Sequence, residues 1–283
     1  MEFLSEVRPS PIAGTWYPGD PVKLAQQIEA FLNDAKLADD DLSGKVIGLL
    51  APHAGHRYSG RTAAYAYKAI QKEPRKLAVI LSPFHPYFHG DFLTTSHSAY
   101  QTPLGTIPVA KKELQALDDL LRVKGTALTP ISRDEEHSLE IQLPFLQHAW
   151  KTDFELLPVM IRSQDPQMLN LMAEALFQVI KAEDFIIIAS SDLSHFYPLE
   201  TAEILDGEML RRVSAFDPPG VLSAEADGSA SACGAGAIAV MLWTSKLAGA
   251  EKVQILNYST SADATGDASS VVGYGSAAVM TPK

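Results

Sequence analysis

Four short runs of consecutive bulky apolar residues mark strands along the chain. They occupy residues 46–50, 77–81, 156–161 and 185–189. A continuous apolar run without alternation is typical of a strand whose two faces are both buried. We therefore predict that these four strands lie in one sheet, with helices covering both of its faces.

Segments with a helical repeat of apolar residues lie between and after these strands. Asp20-Pro21 has the form of a helix start, an N-cap followed by proline at the first helical position. The alternation of strands and helices is typical of βαβ units, so the sheet should be at least partly parallel. The remaining predicted helices span residues 61–70, 111–121, 166–181, 200–216 and 237–243.

The C-terminal part of the chain is predicted to close the sheet. Two further strands are expected at residues 253–258 and 270–279. Pro218-Pro219-Gly220 is expected to end the preceding helix, and the small-residue segment 223–232 to connect it to the next one. No linker is long or biased enough to separate two domains. We expect a single α/β domain over residues 1–283.

Composition and charge narrow the classes of partner. The chain has 283 residues, a net charge of −11 and no cluster of Lys and Arg. Nucleic acids and anionic membranes both need a concentrated positive surface, so we expect neither as a partner. No apolar run approaches the roughly 20 residues of a membrane span, and Met1–Glu6 does not begin a signal peptide. A single cysteine, Cys233, permits no intramolecular disulfide, which indicates a cytoplasmic protein.

Three histidines stand directly after predicted strands. His53 and His85 follow the first two strands, and His195 follows the strand at 185–189, three residues after Asp192. The carboxyl ends of parallel strands meet at one edge of the sheet, where open α/β proteins bind their ligands. The alternative is structural: Asp192 caps a turn and His195 is an incidental loop residue. We predict that His53 and His85 can share one metal ion, with His195 nearby.

Cys233 occupies a different setting, the predicted first turn of a helix. Free N–H groups and the helix dipole favour a thiolate there, which should lower the thiol pKa and direct the sulfur toward the cleft. Two imidazoles and a thiolate suit iron, copper or zinc. Asp192 would then fix a histidine tautomer and His195 would carry protons. Taken singly, each residue is more often structural, and a lone buried cysteine is usually a small apolar side chain.

His137 lies in the charged segment 133–140. Such a segment is usually the solvated start of a helix, but a histidine flanked by carboxylates is also suited to carry protons. The other four histidines are expected to be incidental, although two of them share the loops after the strands and could line a pocket; these four are His56, His89, His97 and His148.

Several stretches together resemble the Memo family, which in prokaryotes is also called AmmeMemoRadiSam system protein B. The resemblance runs from near residue 8 to the C-terminus. It implies a fold similar to the class III extradiol (LigB-like) dioxygenases, a three-layer α/β sandwich with a mixed, mostly parallel sheet between helix layers. The stretches are Ala13-Gly14-Thr15-Trp16-Tyr17-Pro18, Ala51-Pro52-His53-Ala54-Gly55, Glu136-His137-Ser138-Leu139-Glu140, Gln142-Leu143-Pro144-Phe145-Leu146, Ser191-Asp192-Leu193-Ser194-His195 and Ala232-Cys233-Gly234.

The resemblance also implies roles for site residues. His53 and His85 match the two histidine ligands of the dioxygenase iron, Cys233 stands where those enzymes have a glutamate ligand, and His195 matches their acid/base histidine. Two stretches depart from the family pattern: Ser82-Pro83-Phe84-His85 replaces Gly-Pro-Asn-His, and His56-Arg57-Tyr58 replaces Tyr-x-Tyr. The family name further implies a radical-SAM protein and an AMMECR-type protein as partners.

Three functions are compatible with these residues. The first is a Memo-like, redox-related intracellular protein that binds iron, copper or zinc through His53, His85 and Cys233. The second is a non-haem Fe(II) dioxygenase acting on a small aromatic compound, although such enzymes usually use a carboxylate as the third ligand. The third is a metal-free hydrolase in which Cys233 is the nucleophile and His195 the base.

Overall fold

The structure is a computed structural model that describes residues 6–38 and 42–282. Residues 1–5, on which the expectation of no signal peptide largely rests, lie outside this range. Within the described ranges the strands are β1 (Val7–Arg8), β2 (Lys45–Ala51), β3 (Leu77–Pro83), β4 (Phe92–Thr95), β5 (Ala99–Thr102), β6 (Gly105–Pro108), β7 (Leu128–Ile131), β8 (Glu155–Ile161), β9 (Phe185–Ser190), β10 (His195–Tyr197), β11 (Lys252–Thr260) and β12 (Val271–Thr281).

The helices alternate with the strands over most of the chain. A short 3-10 turn, Glu140–Gln142, leads directly into the fourth of them. The α-helices are α1 (Pro21–Asp34), α2 (His56–Ile70), α3 (Lys111–Val123), α4 (Leu143–Trp150), α5 (Pro166–Ile180), α6 (Leu199–Ser214), α7 (Pro218–Asp227), α8 (Ala235–Leu247) and α9 (Ala262–Thr265).

A mixed sheet forms the centre of the fold. Its strands run in the order β10, β12, β2, β9, β3, β8, β4 and β7, and β11 pairs with β12. The central strands β2, β9, β3 and β8 are parallel to one another. Antiparallel strands extend the sheet on both sides, β12 beside β2 and β4 beside β8. The prediction that the four apolar runs share one sheet is confirmed, because they are these four central strands.

Two groups of helices cover the sheet. α1, α2 and α4 pack against one another, and α2 also lies against β2, β11 and β12. α5 and α8 pack together with α3 and α7, and α8 crosses the four central strands. Buried apolar side chains of strands and helices form one cluster, which includes Leu49, Ile187, Tyr67 and Ile238. The predicted α/β architecture, with a mixed sheet between helices, is confirmed.

The boundaries of three helices differ from the prediction. α2 begins at His56, five residues before the predicted start, with Gly55 as its N-cap. α7 was missed because its two prolines were interpreted as a stop signal, whereas proline is favoured in the first turn of a helix. The Asp217 side chain caps this helix by accepting a hydrogen bond of 3.0 Å from the N–H of Gly220. α8 begins at Ala235 with Gly234 as its N-cap, so Cys233 lies outside the first turn.

Short strands were also missed. β4 to β7 have only four residues each and β1 has two. Runs of this length carry too little periodicity to be recognised. β1, β5 and β6 form a small separate sheet. No helix in the described part of the chain has the length and apolar character needed to cross a bilayer.

Candidate metal centre

Three imidazoles meet beyond the carboxyl ends of the central strands. His53 follows β2, His85 follows β3, and His137 lies in the loop between β7 and the 3-10 turn. One potential ligand atom from each residue lies within 4.8 Å of the other two. The ring centroid of His53 is 5.4 Å from that of each partner, and the other two rings stack at 4.9 Å. The structure therefore brings His53 and His85 together as predicted, and it adds His137.

The sheet itself positions His53. The loop after β2 meets the end of β9, where the Oγ of Ser190 lies 3.1 Å from Nδ1 of His53. The Ser190 hydroxyl donates to the carbonyl oxygen of Ser138 at 2.5 Å, so toward His53 it acts as an acceptor. Nδ1 of His53 must then carry the proton, which leaves the lone pair on Nε2. Burial, together with the nearby His85, lowers the pKa of His53 to about 3, so the ring is neutral at pH 7.

One buried carboxylate holds the other two histidines. Glu136 is 2% exposed, and its Oε1 lies 3.0 Å from Nδ1 of His85 and 3.3 Å from Nδ1 of His137. Its oxygens also accept backbone N–H bonds from His85, His137 and Ser138, at 2.7, 3.0 and 2.9 Å. A carboxylate on Nδ1 fixes the ring and leaves Nε2 free, which is the usual arrangement around a metal-binding histidine.

Glu136 and the three histidines shift one another's pKa values. Burial alone would raise the pKa of Glu136, but hydrogen bonds and charge from His85 lower it below its usual range. The same hydrogen bond raises the pKa of His85. Burial and the nearby His53 lower the pKa of His137 to about 4. Two of the three rings are therefore neutral at pH 7, the form in which histidine binds metals.

Cys233 contacts only one of the two predicted histidine partners. Its Sγ is 3.1 Å from Nε2 of His53 and 3.7 Å from the carbonyl oxygen of Asp192. The prediction of a lowered thiol pKa is wrong: burial and the nearby Asp192 carboxylate raise it. Cys233 also precedes the N-cap of α8, so it does not lie in the first turn on which the prediction relied. The three residues whose ligand atoms cluster are His53, His85 and His137, and a role for Cys233 as a ligand stays a prediction.

Asp192 supports the site through the backbone. Its Oδ1 accepts the N–H groups of His53 at 2.7 Å and Ala54 at 3.2 Å. Burial raises the pKa of this carboxyl to about 6. The expectation that Asp192 fixes a ring tautomer is corrected, because Ser190 is the partner of the His53 ring. Asp192 instead holds the loop that carries the ring.

His195 lies at the edge of the same cleft. It opens β10, where it pairs with Val272 of β12, and it is half-buried. A positive charge on its ring would lower the pKa of both His53 and Asp192. Its function as a proton carrier stays a prediction, as does that of His137.

The four histidines expected to be incidental lie outside the cluster. His56 is buried against Phe145, with Nδ1 3.1 Å from Oε1 of Gln27. Nε2 of His97 is 2.7 Å from the carbonyl oxygen of Ser132, and Nε2 of His148 is 2.6 Å from a carboxylate oxygen of Glu29. His89 is exposed, with its ring 5.5 Å from that of Tyr87.

Sequence reasoning missed three residues of the site. Glu136 was noted only as part of a charged run, and Ser190 only as part of a strand end. Trp16, whose ring stacks on His137 at 4.0 Å, was quoted only as part of a family motif. The available signal was the pair Glu136-His137, in which a carboxylate adjoins a histidine.

Three imidazoles, a thiol and two carboxylates lie close together at one edge of the parallel strands. This fold and site define a protein with a candidate metal centre. The chain belongs to the Memo family, because the sequence model of the family described as "Memo-like protein" matches residues 8–278. The resemblance noted from the motifs is thereby confirmed.

Relatives with this family name cover almost the whole chain. A MEMO1 family protein of Nitrosopumilus maritimus is 32% identical over 271 residues, which is 95% of this chain and 98% of that protein. The MEMO1 family protein MK0963 of Methanopyrus kandleri is 34% identical over 93% of this chain and 95% of its own. A solved structure, an uncharacterized protein JW3007 from Escherichia coli K12, is 13% identical, with a TM-score of 0.48 over 82% of this chain and 99% of that chain.

Proposed function

We propose that the protein binds one transition metal ion through Nε2 of His53, His85 and His137, with the sulfur of Cys233 as an additional ligand. The observation that carries the proposal is the clustering of three potential ligand atoms within 4.8 Å. Metal–nitrogen bonds of about 2.0–2.1 Å place three nitrogens on one ion roughly 3.3–3.6 Å apart. The rings would therefore have to approach one another by up to about an ångström to bind an ion.

The hydrogen bonds around the rings support the same assignment. Ser190 occupies Nδ1 of His53, and Glu136 occupies Nδ1 of His85, so the opposite nitrogens are available. The carboxylates of Glu136 and Asp192 supply negative charge close to the proposed ion. Neutral imidazoles and a thiol sulfur suit iron and copper, with zinc as the third candidate. A bound iron or copper ion would supply one-electron redox chemistry to a redox-related function.

The two other functions considered from the sequence are less well supported. An extradiol dioxygenase typically needs a carboxylate ligand, but Glu136 and Asp192 are both hydrogen-bonded to protein groups. A Cys–His hydrolase needs its base beside the nucleophile. The histidine beside Cys233 is His53, which is a weak base because burial lowers its pKa to about 3, and burial also raises the pKa of the thiol.

Metal titration of purified protein under anaerobic conditions tests the proposal. Cu(I), Fe(II) and Zn(II) affinities are measured for the unmodified protein and for His53→Gln, His85→Gln, His137→Gln and Cys233→Ser. Each histidine substitution should lower affinity at least about tenfold. Cys233→Ser should weaken Cu(I) binding more than Zn(II) binding, since serine is nearly isosteric but a harder ligand.

The matched control is His97→Gln, which alters a buried histidine outside the cluster. Its affinities should equal those of the unmodified protein. Equal affinities for the control and all three cluster variants would refute the proposal. Oxygen uptake with catechols by the iron-loaded protein would instead favour the dioxygenase.

The family resemblance adds two proposals about context. A radical-SAM protein and an AMMECR-type protein are proposed partners, and a cytoplasmic location is proposed from the single cysteine. Fractionation of the native host tests the location, and co-purification from the cytoplasmic fraction under reducing conditions tests the partners. A co-purified sample that lacks these two protein classes would contradict the partner proposal.

A further inference from the structure

We propose that Arg8 is a positioning residue for the metal centre: it holds the loop that presents Glu136 and His137. This inference rests on the proposed function. Arg8 belongs to the N-terminal arm, defined here as residues 6–19, which precedes α1. The arm is remote in sequence from the loop at residues 134–140, and nothing in the strand pattern would bring the two together.

The Arg8 guanidinium donates hydrogen bonds to several residues of that loop. It is 2% exposed, with Nη2 2.7 Å from Oδ1 of Asp134 and Nη1 2.5 Å from Oε2 of Glu140. Nη2 also donates to the carbonyl oxygen of Glu136 at 2.9 Å. Arg8 therefore binds the loop before, at and after the residue whose carboxylate holds His85 and His137.

The rest of the arm binds the same loop from the same side. The hydroxyls of Tyr17 and Ser10 donate to Oε1 of Glu140 at 2.7 and 2.5 Å. The Trp16 ring stacks on His137. The arm thus forms one wall of the site, and Arg8 is the charged group that fastens it.

Removing the Arg8 charge would leave two buried carboxylates without their cation. The side chains of Asp134 and Glu140 are 2% and 0% exposed, so neither can be solvated without movement of the loop. That movement would displace Glu136 and His137. His53 would stay in place, because Ser190 and Asp192 hold it from the sheet. The site therefore has a part built by the sheet and a part that depends on the arm.

Arg75 provides a matched comparison. It is a second buried arginine, 7% exposed, whose guanidinium pairs with Glu73 at 2.7 Å and Asp184 at 3.6 Å. These residues precede β3 and β9, so they lie at the opposite, amino end of the central strands. Its two carboxylate partners are half-exposed, so loss of Arg75 should cost some stability, less than loss of Arg8, without reaching the histidines.

The test compares Arg8→Met, Arg8→Lys and Arg75→Met. Metal affinity and the Co(II) absorption spectrum, which reports the ligand set, are measured alongside unfolding by urea. Arg8→Met should weaken Co(II) and Zn(II) binding about 10–100-fold, the usual effect of losing a group that orients a ligand, and should change the Co(II) spectrum. Arg8→Lys should recover part of the affinity. Arg75→Met should lose stability but keep both the affinity and the spectrum.

A metal-free readout separates this inference from the proposed function. In the ¹⁵N NMR spectrum, the Nδ1–H resonances of His85 and His137 report their contacts with Glu136, and Arg8→Met should shift or broaden both. If the unmodified protein binds no metal, the proposed function fails, while this readout still tests the role of Arg8. Unchanged imidazole resonances, or unchanged affinity and spectrum where metal binds, would overturn the inference.

A second variant covers the case in which Arg8→Met does not fold. The triple substitution Arg8→Met, Asp134→Asn and Glu140→Gln removes the buried charges together, which is far less destabilising than removing one partner. It still lacks the donor to the carbonyl oxygen of Glu136. Weakened metal binding by this variant would support the positioning role, and full affinity would refute it.

Discussion

Replacing Glu136 by glutamine should both destabilise the fold and weaken the metal site. The two side chains have nearly the same shape, so the change removes charge and one acceptor. In the unmodified protein the backbone N–H of His85 donates to Oε2 of Glu136 at 2.7 Å. If the amide oxygen of the glutamine takes the position of Oε1, its amide nitrogen takes the position of Oε2 and faces that N–H group. Two donors then oppose each other in a site where Glu136 is 2% exposed.

The magnitude follows from the hydrogen bonds that are lost. A hydrogen bond to a charged group contributes about 1.5–3 kcal/mol, and a buried donor without a partner costs about 1–3 kcal/mol. We expect Glu136→Gln to lower the free energy of unfolding by roughly 2–4 kcal/mol at pH 7. Metal affinity should fall about 10–100-fold, because both His85 and His137 lose the group that orients them.

The pH dependence supplies an independent check. The pKa of Glu136 is lowered in the folded protein, against 4.5 for a free side chain. Its ionised form therefore stabilises the fold above about pH 4.5, and this contribution is lost as the pH falls further. The stability difference between the two proteins should shrink as the pH is lowered from 6 to below 4.

Urea unfolding at pH 7 and at pH 4, together with metal competition, measures these effects. The matched control is Glu135→Gln, which changes the neighbouring exposed carboxylate by the same atoms. If both variants had the same stability and metal affinity as the unmodified protein, the assignment of Glu136 as the organising carboxylate would be refuted.

Two further predictions concern stability. Burial lowers the pKa of His56 to about 4 from 6.5, so the folded state binds fewer protons than the unfolded state between these values, and stability should fall by roughly 3 kcal/mol as the pH drops across them. Urea unfolding of His56→Gln should show a pH dependence smaller by this amount, because His53 and His137 contribute over the same range. An unchanged dependence would exclude His56 as one of its sources. Phe196 has a φ of 64° and is 75% exposed, so Phe196→Gly should raise the free energy of unfolding by about 1 kcal/mol. A lower melting temperature for that variant would mean that the ring makes stabilising contacts.

Local sequence pattern was sufficient for the four central strands of the sheet and for two of the three histidines. Residues 185–189 form an uninterrupted apolar run, and such runs predict buried parallel strands from the side chains alone. His53 and His85 follow two such strands directly. The pattern could not place His137, because its loop is held by Arg8, which lies 126 positions from Asp134, and no local rule specifies that contact.

The errors have equally local causes. The prolines at the start of α7 were assigned to the end of the preceding helix, since proline is compatible with both positions. The thiol of Cys233 was expected to ionise easily because Cys233 was assigned to the first turn of α8, whereas it lies one residue before the N-cap Gly234 and is buried. The favourable effect of the helix dipole falls off within the first turn, and burial raises the pKa of the thiol.

The hydroxyl of Ser190 limits how protons can move through the cleft. It accepts a hydrogen bond from Nδ1 of His53 and donates one to the carbonyl oxygen of Ser138, while Nε2 of Gln142 donates to it at 2.7 Å. This chain of hydrogen bonds ends at a carbonyl oxygen, so the Nδ1 proton of His53 has no path onward through Ser138. The tautomer of His53 is thereby fixed, and the lone pair lies on Nε2, the nitrogen that faces the sulfur of Cys233.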